Sequence, residues 1–183
     1  MALQSSYGFW YPPRLQLGAS APAYGTLVID AASEKVAFII QAPKTGSVRK
    51  LHFRTGTVVT GDTMDVRLET VDLATGDPSG TLFGTTTNAS QVILLTEDNT
   101  WFSPTLTADA SVTKGQFLAV VIALPAVAVG NMQIVNVSSS AIATEFPYSD
   151  LFTTVWNKSQ GSPVCALEYS DGAKFELSCE LLR

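Results

Sequence analysis

The chain is short of the residues that most site chemistry needs. Among 183 residues there are one histidine and two cysteines, too few for a zinc site with four protein ligands unless carboxylates help, and nothing has the usual short ligand spacing. Charged residues are only 15% of the chain, and at a net charge of -5 a polyanion is repelled on average. The cations Arg49, Lys50, Arg54 and Arg67 are scattered rather than clustered, so nucleic acid is not an expected partner. The most apolar stretch, FLAVVIALPAVAV (117–129), is too short to span a bilayer as a helix and carries Pro125 in its middle; it reads as a buried strand and its turn, with no membrane insertion. MALQSSYGFWYPP has neither a basic n-region nor an apolar h-region and is not read as a secretory leader. The three N-x-S sequons at Asn88, Asn136 and Asn157 are accordingly taken as chance. No window combines an apolar 3.6-residue period with a cap and a glycine stop, so helix content is expected to be minor.

What is present is a packed chain with a period of two. Hydrophobic residues make up 46%, which excludes disorder driven by low hydrophobicity and high charge. In TMDVRLETVDL, Met64, Val66, Leu68 and Thr70 alternate with Asp65, Arg67 and Glu69; in VRKLHFRT, Leu51 and Phe53 alternate with Lys50, His52 and Arg54. Such segments suit strands with one face in a core and one in water. Further strands are expected at 26–30, 35–42, 91–95, 101–106, 116–124, 131–138, 163–169 and 174–181, separated by clusters of Gly, Pro, Asn, Asp, Ser and Thr. About ten short strands, mostly antiparallel, predict an all-β, two-sheet, jelly-roll-like β-sandwich over residues 26–183. Residues 1–25 are aromatic and proline-rich without a clear period, and are expected to form an irregular arm.

The glycine-rich run ETVDLATGDPSGTLFGT (69–85) follows a strand, as phosphate cradles do. It has no Lys behind its glycines and leads into apolar and Thr-rich sequence rather than a helix, so a turn is expected, with Asp77 and Pro78 presetting it. His52 is placed on a polar strand face between Lys50 and Arg54, where a solvated imidazole is expected rather than a catalytic base. Cys165 and Cys179 share the apolar face of the last two strands and are expected as reduced core thiols. A loop at 170–174 sets them opposite each other, whereas a three-residue loop leaves them diagonal. Asp65 and Glu69 project from one face of a single strand, too regularly for an acid and base pair across a cleft. Oxygens near Asp72 and Asp77 are of the kind hard cations favour, but without EF-hand-like spacing solvated loop carboxylates are expected. No catalytic residue, metal or cofactor is assigned.

Aromatics supply the candidate contact residues. Tyr7, Phe9, Trp10 and Tyr11 in the arm are hard to bury locally beside two prolines, so contact with another subunit is expected of them. Tyr148 and Trp156, in EFPYSDLFTTVWNKSQG, belong to a second aromatic group, for which burial beneath the domain's own loops stands against use as a sugar-stacking or anchoring platform.

DVRLETVDLATGDPSGTL followed by TWFSPTLTADASVTKGQFLAVVIAL resembles a non-enzymatic jelly-roll module of tailed-phage virion proteins and some bacterial surface proteins. In that module a strand ends in a G-x-P-S-G-T turn, and a Trp-containing strand leads to a T-x-G turn and an apolar strand. The matching positions are Val66, Leu68, Gly76, Pro78, Ser79, Gly80, Trp101, Gly115 and Phe117 to Ile122. The similarity covers residues 26–124, and the C-terminal third more loosely through YSDG and FEL. It implies a structural or adhesive part with no catalytic residue to carry over. Taken with the arm, it implies an oligomeric component of the tail, baseplate or head surface, assembled in the host cytoplasm and contacting other virion proteins and itself. The alternative it leaves is a carbohydrate-binding or host-receptor-binding module.

Overall fold

The computed structural model describes residues 24–127, 130–137, 148–158 and 161–177. Fifteen strands run through them: β1 (Tyr24–Ile29), β2 (Lys35–Gln41), β3 (Gly46–Thr60), β4 (Asp62–Val71), β5 (Pro78–Leu82), β6 (Asn88–Ile93), β7 (Trp101–Phe102), β8 (Thr105–Val112), β9 (Phe117–Ala123), β10 (Asn131–Val137), β11 (Tyr148–Phe152), β12 (Trp156–Lys158), β13 (Ser162–Pro163), β14 (Cys165–Tyr169) and β15 (Lys174–Leu177). No helix is found among the described residues.

Hydrogen bonding sorts the strands into two antiparallel sheets. The first runs β1-β10-β3-β14-β15, with β13 on β10 and with β7 and β8 on the long β3; the second runs β12-β11-β2-β9-β4-β5, with β6 on β4. Within this pattern β1-β10-β3-β8 and β2-β9-β4-β6 are the neighbours. The chain therefore crosses from sheet to sheet at each step except the β4 to β6 connection, the wiring of a jelly roll. The β-sandwich read from the alternation is the observed fold. β11 to β15 extend it, β11 pairing with β2 and β14 with β3.

The core lies between the sheets. Phe38, Ile40, Leu118, Val120, Ile122, Met64, Val66 and Leu68 of the second sheet meet Leu51, Phe53, Met132, Ile134, Cys165, Leu167 and Tyr169 of the first. Phe53 stacks on Phe102 with ring centroids 5.5 Å apart. Each large side chain so buried stabilises the fold by about 1.5–3 kcal/mol. β2 and β9 do not alternate because they are apolar on both faces: Ala37, Ile39, Ala119, Val121 and Ala123 form a second buried cluster on the outside of the sheet, with Val71 and Trp156 packed against it.

Two local outcomes differ from the sequence reading, and a third selects between the two registers it left open. The segment 101–106 is two strands, because Pro104 has no N–H for the ladder and separates β7 from β8. Residues 78–82 pair with β4 despite their proline and glycine; β5 is a short strand at the sheet edge, where both are tolerated. In the last hairpin Glu168 opposes Lys174 and Cys165 opposes Leu177, while Tyr169 N–H bonds to the Ala173 carbonyl at 2.8 Å. That is the three-residue loop of the two registers open from the sequence. Cys179 lies outside the described residues.

Candidate functional site

Of the arm residues, Tyr7, Phe9, Trp10 and Tyr11 lie outside the described residues. Tyr148 opens β11 opposite Ile39, with only its backbone among the described atoms. Trp156 faces Phe152 across the β11–β12 hairpin, the ring centroids 5.2 Å apart at 60°. Lys35 Nζ sits 5.2 Å from the Phe152 centroid. Because Trp156 also backs the outer apolar cluster, it is half-buried packing against its own sheet, and the hairpin tip instead presents Val155, 62% exposed.

That tip lies at one end of the sandwich with other exposed aliphatic residues. Thr60 opposes Asn131, Asp62 opposes Ile93, and Lys35 opposes both Ala123 and Phe152. The β3–β4 turn and the segments following β6, β9 and β11 therefore share this end. Here Val59 near the end of β3, Leu94 and Leu95 after β6, and Val127 after β9 are all more than half exposed, Val127 at 91%. These exposed aliphatic side chains make this end the candidate contact surface.

Within the run 69–85 the expected turn spans residues 72–77, between the end of β4 and the returning β5. Gly76 N–H bonds to the Asp72 carbonyl, Asp72 N–H bonds to the Asp77 carbonyl, and Asp72 Oδ1 accepts from Ala74 N at 2.9 Å. Gly76 and Gly80 take φ of 82° and 77°, the left-handed region that favours glycine. Glu69, expected on the water face of its strand, is instead buried at 1%. The returning β5 covers it: Gly80 N–H donates to Glu69 Oε2 at 2.9 Å. Arg67 lies between the two carboxylates of that face, 3.7 Å from Asp65 and 3.2 Å from Glu69. Among the described residues no group of three or more His, Cys, Asp and Glu side chains could hold a metal ion.

His52 departs furthest from expectation. Its face was read correctly, since Leu51 and Phe53 on either side are core, but it is 5% exposed rather than solvated. Neighbours remote in sequence close over it. Ser103, just past β7, brings Oγ to 2.6 Å from His52 Nδ1, and Glu168 of β14 brings Oε2 to 3.1 Å from Nε2. Lys50 Nζ sits 2.8 Å from the other Glu168 oxygen. Burial, then the charge of Lys174, hold the imidazole pKa below its ordinary value, with Lys50 adding to this and Glu168 opposing it. The hydrogen bond from Lys50 holds the Glu168 carboxyl below the usual range. The result is a neutral base joined to an ionised acid, with a serine hydroxyl on its other nitrogen. Ser103 and Glu168 were not singled out from the sequence, and the only local sign was that Ser103 shares a strand face with Trp101. A depression elsewhere, lined by Thr63, Met64, Asp65, Asn88, Ser90 and Pro125, has one titratable side chain, Asp65, and no converging set. No family model matches the chain, and no curated protein or solved structure matches it.

Proposed function

We propose that the chain is a non-enzymatic structural component of a tailed-phage virion, on the tail, baseplate or head surface, assembled in the host cytoplasm. It acts through contacts with other virion proteins and with copies of itself. The observation that carries this is the aliphatic end formed by Val59, Leu94, Leu95 and Val127, at the close of β3 and on the segments that follow β6 and β9. The jelly-roll wiring fits the resemblance carried by Gly76, Pro78, Ser79, Gly80 and Trp101, although a fold shared by many functions is weaker support than a surface. The arm with Tyr7, Phe9, Trp10 and Tyr11 is the second proposed contact.

Two measurements test it. Mass spectrometry of particles purified from the virus-producing culture should detect the chain, and its absence refutes the virion assignment. Sedimentation should give an assembly heavier than the 19.5 kDa monomer, reduced by Leu94→Asp with Val127→Asp or by removal of residues 1–14. A second reading, a carbohydrate-binding or host-receptor-binding module, is favoured by Trp101, 39% exposed and opposite Arg54. It requires glycan-array binding that Trp101→Ala abolishes.

A further inference from the structure

We propose that Ser103 is a nucleophile, aligned by His52 and Glu168, that accepts an acyl group from an ester or thioester, making it a covalent attachment site on the outer face of the first sheet. The alignment follows from the register. Phe53 opposes Phe102 and Arg54 opposes Trp101, so the next residue, Ser103, falls beside His52. The β14 ladder sets Ala166 opposite His52 and Glu168 opposite Lys50, which lets the Glu168 side chain reach back to the imidazole.

The hydrogen-bond network assigns the protons. Glu168 is ionised and accepts from Nε2–H, so Nδ1 carries the lone pair that faces the Ser103 hydroxyl at 2.6 Å. The ring nitrogens exchange the places they hold in the usual serine triad, but the order of nucleophile, base and acid is kept. Ser103 is exposed while its base is buried, so an electrophile in solution can reach the oxygen. The charged groups of this face are Arg49, Lys50 and Arg54 of β3, Asp109 of β8, Glu168 of β14, and Lys174 and Glu176 of β15, with Arg49 paired to Asp109, Lys50 to Glu168 and Lys174 to Glu176.

The step balances without any redox partner. The bond from Ser103 Oγ to the acyl carbon forms as the hydroxyl proton moves to His52 Nδ1. The electron pair pushed onto the carbonyl oxygen then returns, the bond to the leaving alkoxide or thiolate breaks, and that group takes the proton from His52. The residue after Ser103 is Pro104, which has no N–H to help form an oxyanion cradle. Attack on the acyl donor and hydrolysis of the ester both pass through an oxyanion, so both steps are slowed, which suits a site modified once rather than a centre that turns over.

The test uses the full chain and p-nitrophenyl acetate, with peptide mapping over time; hydroxylamine removes serine esters and leaves lysine amides. Ser103 should acetylate about 100-fold faster than the exposed Ser90 and Ser111, the lower range for a positioned general base. His52→Gln and Glu168→Gln should each slow Ser103 and leave Ser90 and Ser111 unchanged. The wild-type rate should be half-maximal below the ordinary histidine value of 6.5. Equal rates at the three serines in the wild-type chain overturn the proposal even if both variants fail to fold, as does a His52→Gln chain that keeps the Ser103 rate.

Discussion

Replacing Tyr169 by Phe removes one hydroxyl from the core and should reverse the stability order of the two proteins between neutral and alkaline pH. Tyr169 is 1% exposed. Its hydroxyl donates to the Lys44 carbonyl at 3.1 Å, its ring meets Phe175 edge-on at 5.6 Å, and Lys44 Nζ lies 4.8 Å from the ring centroid. The variant keeps the ring contacts and leaves the Lys44 carbonyl without this donor, at a cost of about 1 kcal/mol below pH 9. Burial, with the charge of Asp171 adding to it, pushes the phenol from 10.0 up to about 12. A folded value above the unfolded one means that the proton stabilises the fold fully below pH 10 and that this contribution is lost as pH rises toward 12. Between those limits the wild-type protein loses about 1.4 kcal/mol per pH unit relative to the variant, so the two should be equally stable at about pH 10.7. By about pH 11.5 the variant should lead by about 1 kcal/mol. The remaining tyrosines are common to both proteins, so comparing the two isolates Tyr169. Urea unfolding followed by far-ultraviolet circular dichroism, from pH 8 upward, measures the gap. A gap that stays constant through pH 11.5 would refute the assignment of this phenol as buried and bonded.

Gly61→Ala should cost about 2–3 kcal/mol, because a Cβ there falls 2.3 Å from the Ile93 carbonyl oxygen, a backbone atom. Gly115→Ala meets open space at φ of +83° and should cost only the left-handed strain of about 1–2 kcal/mol; urea midpoints in the opposite order contradict the packing. Glu69→Ala leaves the Gly80 N–H without its acceptor and the Arg67 guanidinium without its ion pair to Glu69 and should cost about 2–3 kcal/mol, with Glu69→Gln milder in the same assay. Cys165 is buried and its thiol is pushed far up by that burial. Iodoacetamide at pH 8 should therefore leave it unmodified in the native protein and alkylate it in urea, as peptide mapping will report.

How much of this was legible in the sequence depends on whether the information was local. Side-chain alternation fixes which face a residue takes, and it placed Leu51, Phe53, Met64, Val66 and Leu68 inward correctly. It says nothing about what arrives from elsewhere to cover the other face. His52 and Glu69 were assigned to the correct face and the wrong environment for that reason: the cover for Glu69 is a strand that returns eleven residues later, and for His52 it is Ser103 and Glu168, 51 and 116 residues away. The strands missed or split have the same origin in reverse. Residues 78–82 carry the turn chemistry that normally ends a strand, yet they pair with the C-terminal end of β4, which β6 leaves uncovered. Pro104 breaks a strand that composition alone runs straight through, and in doing so it marks the end of the ladder at the one serine that reaches the buried histidine. Local rules thus suffice for the sandwich, because its core repeats the same alternation strand after strand. The Ser103, His52 and Glu168 set draws one residue from each of three segments, and only the jelly-roll wiring brings those segments side by side.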